Sequence, residues 1–278
     1  MSTTATISAA DVNKLRQMTG AGMMDCKKAL MEAGGDFEKA IDELRKKGQK
    51  VAAARADREA KEGYIIAKTN ADSTKGYLVA ISCETDFVAK SADFIKFPND
   101  VLDIAMKNNP SDIEALKALP MDGVTIGDKL TDLVGKIGEK IEITRYEVIE
   151  APKVVIYIHP GNKVVSMVGL SSASAPVETG KDVAMQIAAM NPVAIDKDDV
   201  DQKILDREIE IGKEQARAEG KPETMIEKIA MGKLNKFYNE STLLNQAFIK
   251  EDKKTIRQYL DGAEKGLTVK VFKRVQIG

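Results

Sequence analysis

His159 is the single histidine of a 278-residue chain that carries two cysteines, Cys26 and Cys83. One imidazole rules out an H-E-x-x-H zinc site and a two-histidine facial triad, and allows at most one histidine base. Its setting, Tyr157-Ile-His-Pro-Gly161, lies between a strand-like run and a turn dipeptide and reads as a surface hairpin. The cysteines form no C-x-x-C, so neither a redox dithiol nor a cysteine zinc site is suggested, and the thiols fit a reducing compartment. Phosphate-cradling loops fail as well. Gly20-Ala-Gly22 lacks the third glycine of a dinucleotide fingerprint, because position 25 is Asp, and Gly135-Lys136 lacks the leading glycine and trailing hydroxyl of a P-loop. No carboxylate pair is singled out by spacing. If a nucleotide matters to this chain, another protein holds it; no cofactor and no metal are expected here.

The segment with most chemical content is Glu84-Thr-Asp-Phe-Val-Ala-Lys90, which follows a strand-like run directly. Two readings stay open from the residues alone. Thr85 or Asp86 caps the next helix while Phe87 tucks into the core. Alternatively, Asp86-Phe87 projects at an exposed corner as a charged and aromatic wedge of the kind that anchors protein interfaces.

Composition narrows the partners. Lys and Arg number 42 against 43 Asp and Glu, for a net charge of -1, so a basic face for nucleic acid would need an acidic counterweight elsewhere. The start, Met1-Ser-Thr-Thr-Ala-Thr6, lacks a basic segment leading into a long apolar core, and runs such as Val154–Ile158 are too short to span a membrane. A soluble cytoplasmic protein is the expectation, and Asn239-Glu-Ser241 carries no weight as a glycosylation acceptor.

The elements that must position these residues follow from periodicity. Val12, Leu15 and Thr19, then Cys26, Ala29, Leu30 and Ala33, then Phe37, Ile41 and Leu44 form three helical stripes; Gly20, Gly22 and Gly34-Gly35 separate them, and Asp36 is placed as an N-cap. Val51–Ala60 is rich in helix formers with little to bury and reads as a solvated connector. Tyr64–Lys68 and Tyr77–Cys83 read as a hairpin, as do Val154–Ile158 and Val164–Leu170, and each leads to a helix ending in Asn-Pro, a hint of duplication. Stripes through Val200, Ile204 and Ile211, and through Ile226, Ala230, Leu234 and Phe237, flank Gly220-Lys-Pro222 and predict a helical hairpin. Its charge suits a protruding pair; burial against the body is the competing reading. Leu267–Val275 alternates as a closing strand. The fold class expected is α+β, divided into a three-helix module (1–49), a connector (50–62), two core halves (63–140 and 141–198), a helical hairpin (199–238) and a C-terminal segment returning to the core sheet (239–278).

Thr85-Asp-Phe-Val-Ala-Lys90 resembles the hallmark of the elongation factor Ts family, nucleotide exchange factors of translation elongation factor Tu. Leu15–Leu30 resembles that family's N-terminal signature, within a module of the ubiquitin-associated type. Val134–Glu139, Ala188-Ala189, Gly220-Lys-Pro222 and Leu243–Phe248 extend the likeness over essentially the whole chain. The resemblance implies a non-enzymatic protein that binds elongation factor Tu in its GDP-bound and nucleotide-free states, with no direct contact to nucleic acid or membrane. It implies that Thr85, Asp86, Phe87 and Val88 dislodge the partner's magnesium, and that Arg16, Met23 and Met24 form a partner contact. Adjacent methionines cannot both face inward on one helix, so at least one of the pair is expected outside. Gln186 stands where some family members carry a histidine that docks on the partner, and the resemblance implies a partner contact there, in which glutamine can still hydrogen-bond but cannot titrate near neutral pH. The alternative is a ubiquitin-like-binding adaptor using the N-terminal module alone, which leaves the Asp-Phe segment and the hairpin unexplained. A small metabolic α+β enzyme is opposed by the lone histidine and the missing cofactor loops.

Overall fold

A computed structural model describes residues 7–278, so the reading of Met1–Thr6 lies outside the described residues. Helix α1 (Ala9–Thr19) starts from a capping box in which Ser8 and Asp11 satisfy each other's backbone N–H groups, and it stops at left-handed Gly20. Helix α2 (Met23–Glu32) follows, and α3 (Phe37–Ala54) is capped by Asp36, whose side chain accepts from the Lys39 N–H. Val12, Leu15, Cys26, Ala29, Leu30 and Ala40 bury a small core among the three.

Helix α3 runs past residue 49, where the connector was expected to begin. Val51 and Ala52 are not solvated; they pack against the body of the protein, and the chain leaves the helix only at Arg55. A helix long enough to carry one face in the module and another on the body gains packing that a solvated connector would forgo.

The body is a stack of helix, sheet, sheet and helix. Strands β1 (Glu62–Thr69) and β2 (Lys75–Cys83) form the first hairpin. Short α4 (Asp86–Ala89), then α5 (Ala92–Asn108), α6 (Ile113–Ala118), the two-residue strands β3 (Pro120–Met121) and β4 (Val124–Thr125), and α7 (Ile126–Ile137) lead to β5 (Glu142–Glu150). Strands β6 (Lys153–Ile158) and β7 (Val164–Leu170) form the second hairpin, followed by α8 (Val177–Met190). Two further helices, α9 (Gln202–Ala218) and α10 (Glu223–Ser241), precede β8 (Ala247–Phe248), β9 (Glu251–Thr255), α11 (Ile256–Ala263) and the closing strand β10 (Val269–Gln276).

Both large sheets are antiparallel with the second hairpin strand in the middle, in the orders β1-β2-β5 and β6-β7-β10. The helices α5 and α8 that follow the two hairpins end alike, at left-handed Asn109 and Asn191, each preceding a proline. The third strand of each sheet also shifts register by one residue, at Thr144 in β5 and Lys270 in β10. Each bulge turns the strand over: Ile143 faces the α5 side but Ile149 the space between sheets, and Val269 faces the α8 side but Val271 the space between sheets. Alternation along β2 fits the same layering, with Tyr77, Val79 and Ile81 under α5 and Leu78 and Ala80 toward the second sheet.

The division at 140/141 separates β5 from its own sheet. Strand β5 pairs with β2 over Lys75–Ser82 and so belongs with the first half of the core. Its bulge breaks the period of two that marks a strand in sequence, so alternation alone does not assign these residues to the first sheet.

Helices α9 and α10 lie against each other along a seam of Gly212, Ala216, Ile226, Ala230 and Leu234. On α9 the seam differs from the predicted stripe: Ile204 and Ile211 are half-buried, while small Gly212 sits against Ala230 and lets the backbones approach. The pair leaves and rejoins the body at one place, where Val193 N–H donates to the Ser241 carbonyl and Leu243 N–H to that of Ala194.

Candidate functional site

Strand β2 ends at Cys83, and the chain turns through Glu84 and Thr85 into the single turn of α4. Thr85 caps that turn: its Oγ1 accepts from the Val88 N–H at 3.4 Å. Val88 is half-buried against the core and Ala89 is buried, so this turn is pinned from below. Phe87 points the other way and is 85% exposed. The two sequence readings therefore meet in one structure, in which Thr85 is a cap and Phe87 is a projecting ring, not a core residue.

Asp86 stands beside the ring. The Lys90 ammonium, 2.7 Å away one turn on, holds its carboxyl below the usual aspartate range, so the corner carries a carboxylate at neutral pH. Cys83 beneath is buried; burial first, and then the nearby Glu139 and Glu62 charges, push its thiol up to about 12. It stays protonated and donates to the Thr85 carbonyl at 3.3 Å.

Two carboxylates unassigned by sequence reasoning brace the corner. Glu139 Oε2 accepts from the N–H groups of Glu84 and Thr85, both at 3.1 Å, and Oε1 accepts from the Thr85 hydroxyl at 2.7 Å. Glu84 accepts from Arg55 and from the Lys140 N–H, both at 2.6 Å, and from Arg58 at 3.2 Å. A signal for Glu139 existed. It follows Gly138, the left-handed residue that ends α7, where the helix dipole favours cations, so an acid there implies a partner elsewhere.

Burial alone would raise the Glu84 carboxyl, but the Lys140 N–H, Arg55 and Arg58 outweigh it and hold the group below the usual range. A folded-state value below the unfolded one means that the unfolded chain binds the proton more readily. The stabilisation is then present above the ordinary glutamate value of about 4.3 and fades as pH falls through the lower folded value. Glu84→Gln is expected to melt below wild type by a steady margin from pH 7 down to the ordinary glutamate range, with the gap closing only as pH falls further, in melts recorded across that range. A gap that stays constant into the acid range would mean that Arg55, Arg58 and the Lys140 N–H do not favour the charged form of Glu84.

Arg16 on α1 and Met23 and Met24 at the start of α2 lie on the surface of the N-terminal module, flanking its Gly20–Gly22 link. Met23 is 52% and Met24 74% exposed, so both side chains are outside, and Met18 and Met31 join them. Methionines on a module surface offer an adaptable apolar face. Between this module and the body, a cleft of about 550 Å³ is bordered by Arg45–Asp132, Lys136–Asp93 and Lys47–Asp25 ion pairs, so those charges are already matched.

Gln186 is a correction. It has no exposed surface: its Nε2 donates to Gln246 Oε1 and the Ala247 carbonyl, each at 3.1 Å, and its Oε1 accepts from the Ile249 N–H at 2.9 Å. The side chain ties α8 to the segment before β9 and is not presented to a partner. Polar spacing on α8 could not distinguish a surface amide from a buried one whose partners come some sixty residues later. Gln186→Ala strands those groups without solvent, and a loss of about 1–3 kcal/mol is expected in denaturant unfolding.

His159 is on the surface, its Nδ1 3.0 Å from the Tyr157 hydroxyl, as the hairpin reading has it. Among the described residues no group of three or more His, Cys, Asp or Glu side chains is arranged to hold a metal ion. No described helix is long and apolar enough to cross a membrane.

The α+β body thus presents a braced, exposed aromatic beside a carboxylate, with a methionine-bearing helical module attached. The family model for elongation factor Ts matches residues 84–278. Proteins named elongation factor Ts are 57% identical in Cytophaga hutchinsonii, over 98% of this chain and 99% of that protein, and 54% identical in Amoebophilus asiaticus, over 98% and 99%. One from Christiangramia forsetii is 54% identical over 99% of this chain and all of its own length. The chain belongs to the elongation factor Ts family, and is a translation elongation factor.

Proposed function

We propose that this protein binds elongation factor Tu carrying GDP, promotes release of the GDP by disturbing the partner's magnesium site, and stabilises the nucleotide-free partner until GTP enters. The exposed Phe87 beside ionised Asp86 carries this reading, because a large ring held in water on a braced turn gains only by entering another molecule. Magnesium neutralises phosphate charge. An intruding Thr85–Val88 turn that displaces the elements holding the ion removes much of the diphosphate's binding free energy without any covalent step.

The protein is then an exchange factor and not an enzyme in the bond-making sense. Reciprocity governs its release: if it weakens nucleotide binding by some factor, nucleotide weakens its own binding by the same factor, and incoming GTP expels it. Arg16, Met23 and Met24 supply a second point of attachment, as a nucleotide-free state needs contacts that the nucleotide-bound state lacks. In this reading it contacts neither nucleic acid nor membrane directly and works in the cytoplasm, in keeping with two buried, unpaired cysteines.

The test is release of a fluorescent GDP analogue from the cognate elongation factor Tu, with an expected acceleration of many fold on adding this protein. No acceleration by folded wild-type protein sinks the reading.

A further inference from the structure

We propose that Glu139 and Glu84 are positioning residues for the Phe87 wedge, and that Arg55 couples them to α3, so that the seating of the N-terminal module sets how the wedge is presented. This rests on the exchange reading above.

Helix α4 has four residues, too few to hold a direction by its own hydrogen bonds, so the orientation of Phe87 must come from tethers outside it. Glu139 supplies three of them, to Glu84 N–H, Thr85 N–H and the Thr85 hydroxyl. The last also fixes the roles of that hydroxyl, which donates to Glu139 and is left to accept from Val88 N–H as the cap of α4. Bonds to an ionised acceptor are the stronger kind.

The brace is reciprocal. Glu139 grips the backbone at 84–85, while Glu84 grips the backbone N–H of Lys140, the residue after Glu139. Glu84 also takes Arg55, the residue that ends α3, at 2.6 Å. The Lys140 ammonium closes the loop by donating to the carbonyls of Ala56 and Arg58 at 2.9 and 3.1 Å. Helix α3 begins at Phe37 inside the module core and ends on this brace. A shift of the module is therefore delivered to the base of the wedge through Arg55 and Glu84, not through a slack linker.

Misplacing a group that must enter a partner by about 1 Å can cost up to a hundredfold in rate. The experiment is stopped-flow release of the GDP analogue over a concentration series, which separates the maximal rate from the half-saturating concentration. For Glu139→Ala the maximal rate is expected to fall about tenfold, with the half-saturating concentration within about twofold of wild type. Glu139→Gln keeps an acceptor for the two N–H groups and an amide donor for the Thr85 hydroxyl, and is expected to recover most of that loss. Arg55→Ala is expected to lower the maximal rate in the same way but less. Adding Glu139→Ala to Phe87→Ala is expected to bring little further loss, because with the ring gone its direction no longer matters.

The proposal is overturned if Glu139→Ala alters only the melting temperature or the half-saturating concentration, or if the Glu139 and Phe87 losses multiply. Should Glu139→Ala fail to fold, Arg55→Ala decides, and an unchanged maximal rate there overturns the coupling and the proposal together. Wild-type protein that fails to release GDP defeats the exchange reading and this proposal with it, whereas Phe87→Ala at full rate beside an active wild type defeats the wedge and this proposal but leaves exchange standing. A normal wild type and an impaired Phe87→Ala beside a fully active Glu139→Ala defeats the positioning role alone.

Discussion

Phe87→Ala is expected to slow the maximal rate at which this protein drives GDP release from its partner by about tenfold to a hundredfold, the range of a dominant interface aromatic. The folded protein itself should be unaffected. At 85% exposure the ring makes almost no core contact, so its removal takes no apolar burial from the native state. The two effects separate cleanly. Thermal melts of wild type and variant should coincide within about a degree, since surface changes of this type usually lie within about 0.5 kcal/mol. Met24→Ala is the useful contrast: 74% exposed on the module, it belongs to attachment in this reading, and its loss should raise the half-saturating concentration more than it lowers the maximal rate. If Phe87→Ala releases GDP as fast as wild type while folded, the wedge is not the acting element.

Gly48→Ala carries the second large effect, and its sign is informative. Glycine to alanine inside a helix normally stabilises by about 1 kcal/mol, through propensity. At Gly48 a Cβ would meet the Thr131 carbonyl oxygen at 2.5 Å, and across the same contact a Cβ on Gly135 would lie 3.0 Å from the Gly48 Cα. The obstacle is the backbone of α7, which cannot swing aside as a side chain could. Helices α3 and α7 must separate, and overpacking of this kind costs about 1–3 kcal/mol. A lower melting temperature is expected despite the better helix former, together with faster proteolysis near residues 55–61, where α3 hands over to β1. Gly232→Ala in α10 is the control: nothing lies within 4 Å of its Cβ position, so the propensity gain should appear there as a higher melting temperature. If Gly48→Ala also stabilises, the close approach of α3 to α7 is wrong. Because α3 ends on Arg55 and the Glu84 brace, Gly48→Ala should also lower the maximal exchange rate, linking module seating to the wedge.

Much of this was legible before folding, for a local reason. Asp36 and Thr85 are caps, Gly20 is a stop, and Asn109-Pro110 and Asn191-Pro192 end helices, because each acts on backbone groups within four residues of itself. The two hairpins and the three-helix module follow from period and punctuation in the same way. Even the single histidine and the two cysteines outside any C-x-x-C, and hence the search for chemistry outside this chain, were legible in residue counts and neighbours.

The tertiary structure decided whatever depended on residues distant in the chain. Strand β5 escaped notice because its bulge at Thr144 breaks the alternation, and only pairing with β2 assigns it to a sheet. Gln186 moved from partner contact to interior because the groups that satisfy its amide lie at 246–249. The seam of α9 and α10 runs through Gly212 and Ala216, which a search for large apolar residues passes over, since close approach depends on what is missing from a side chain. At the corner itself, sequence left Phe87 free to be core or wedge. Its neighbours supply the cap in either case; the ring faces outward because Val88 and Ala89 take the inward positions and because Glu139, fifty-four residues after Thr85, fixes the turn from below. Local hydrogen bonding is written in the order of residues, but the direction a short turn faces is set by whichever distant groups reach it.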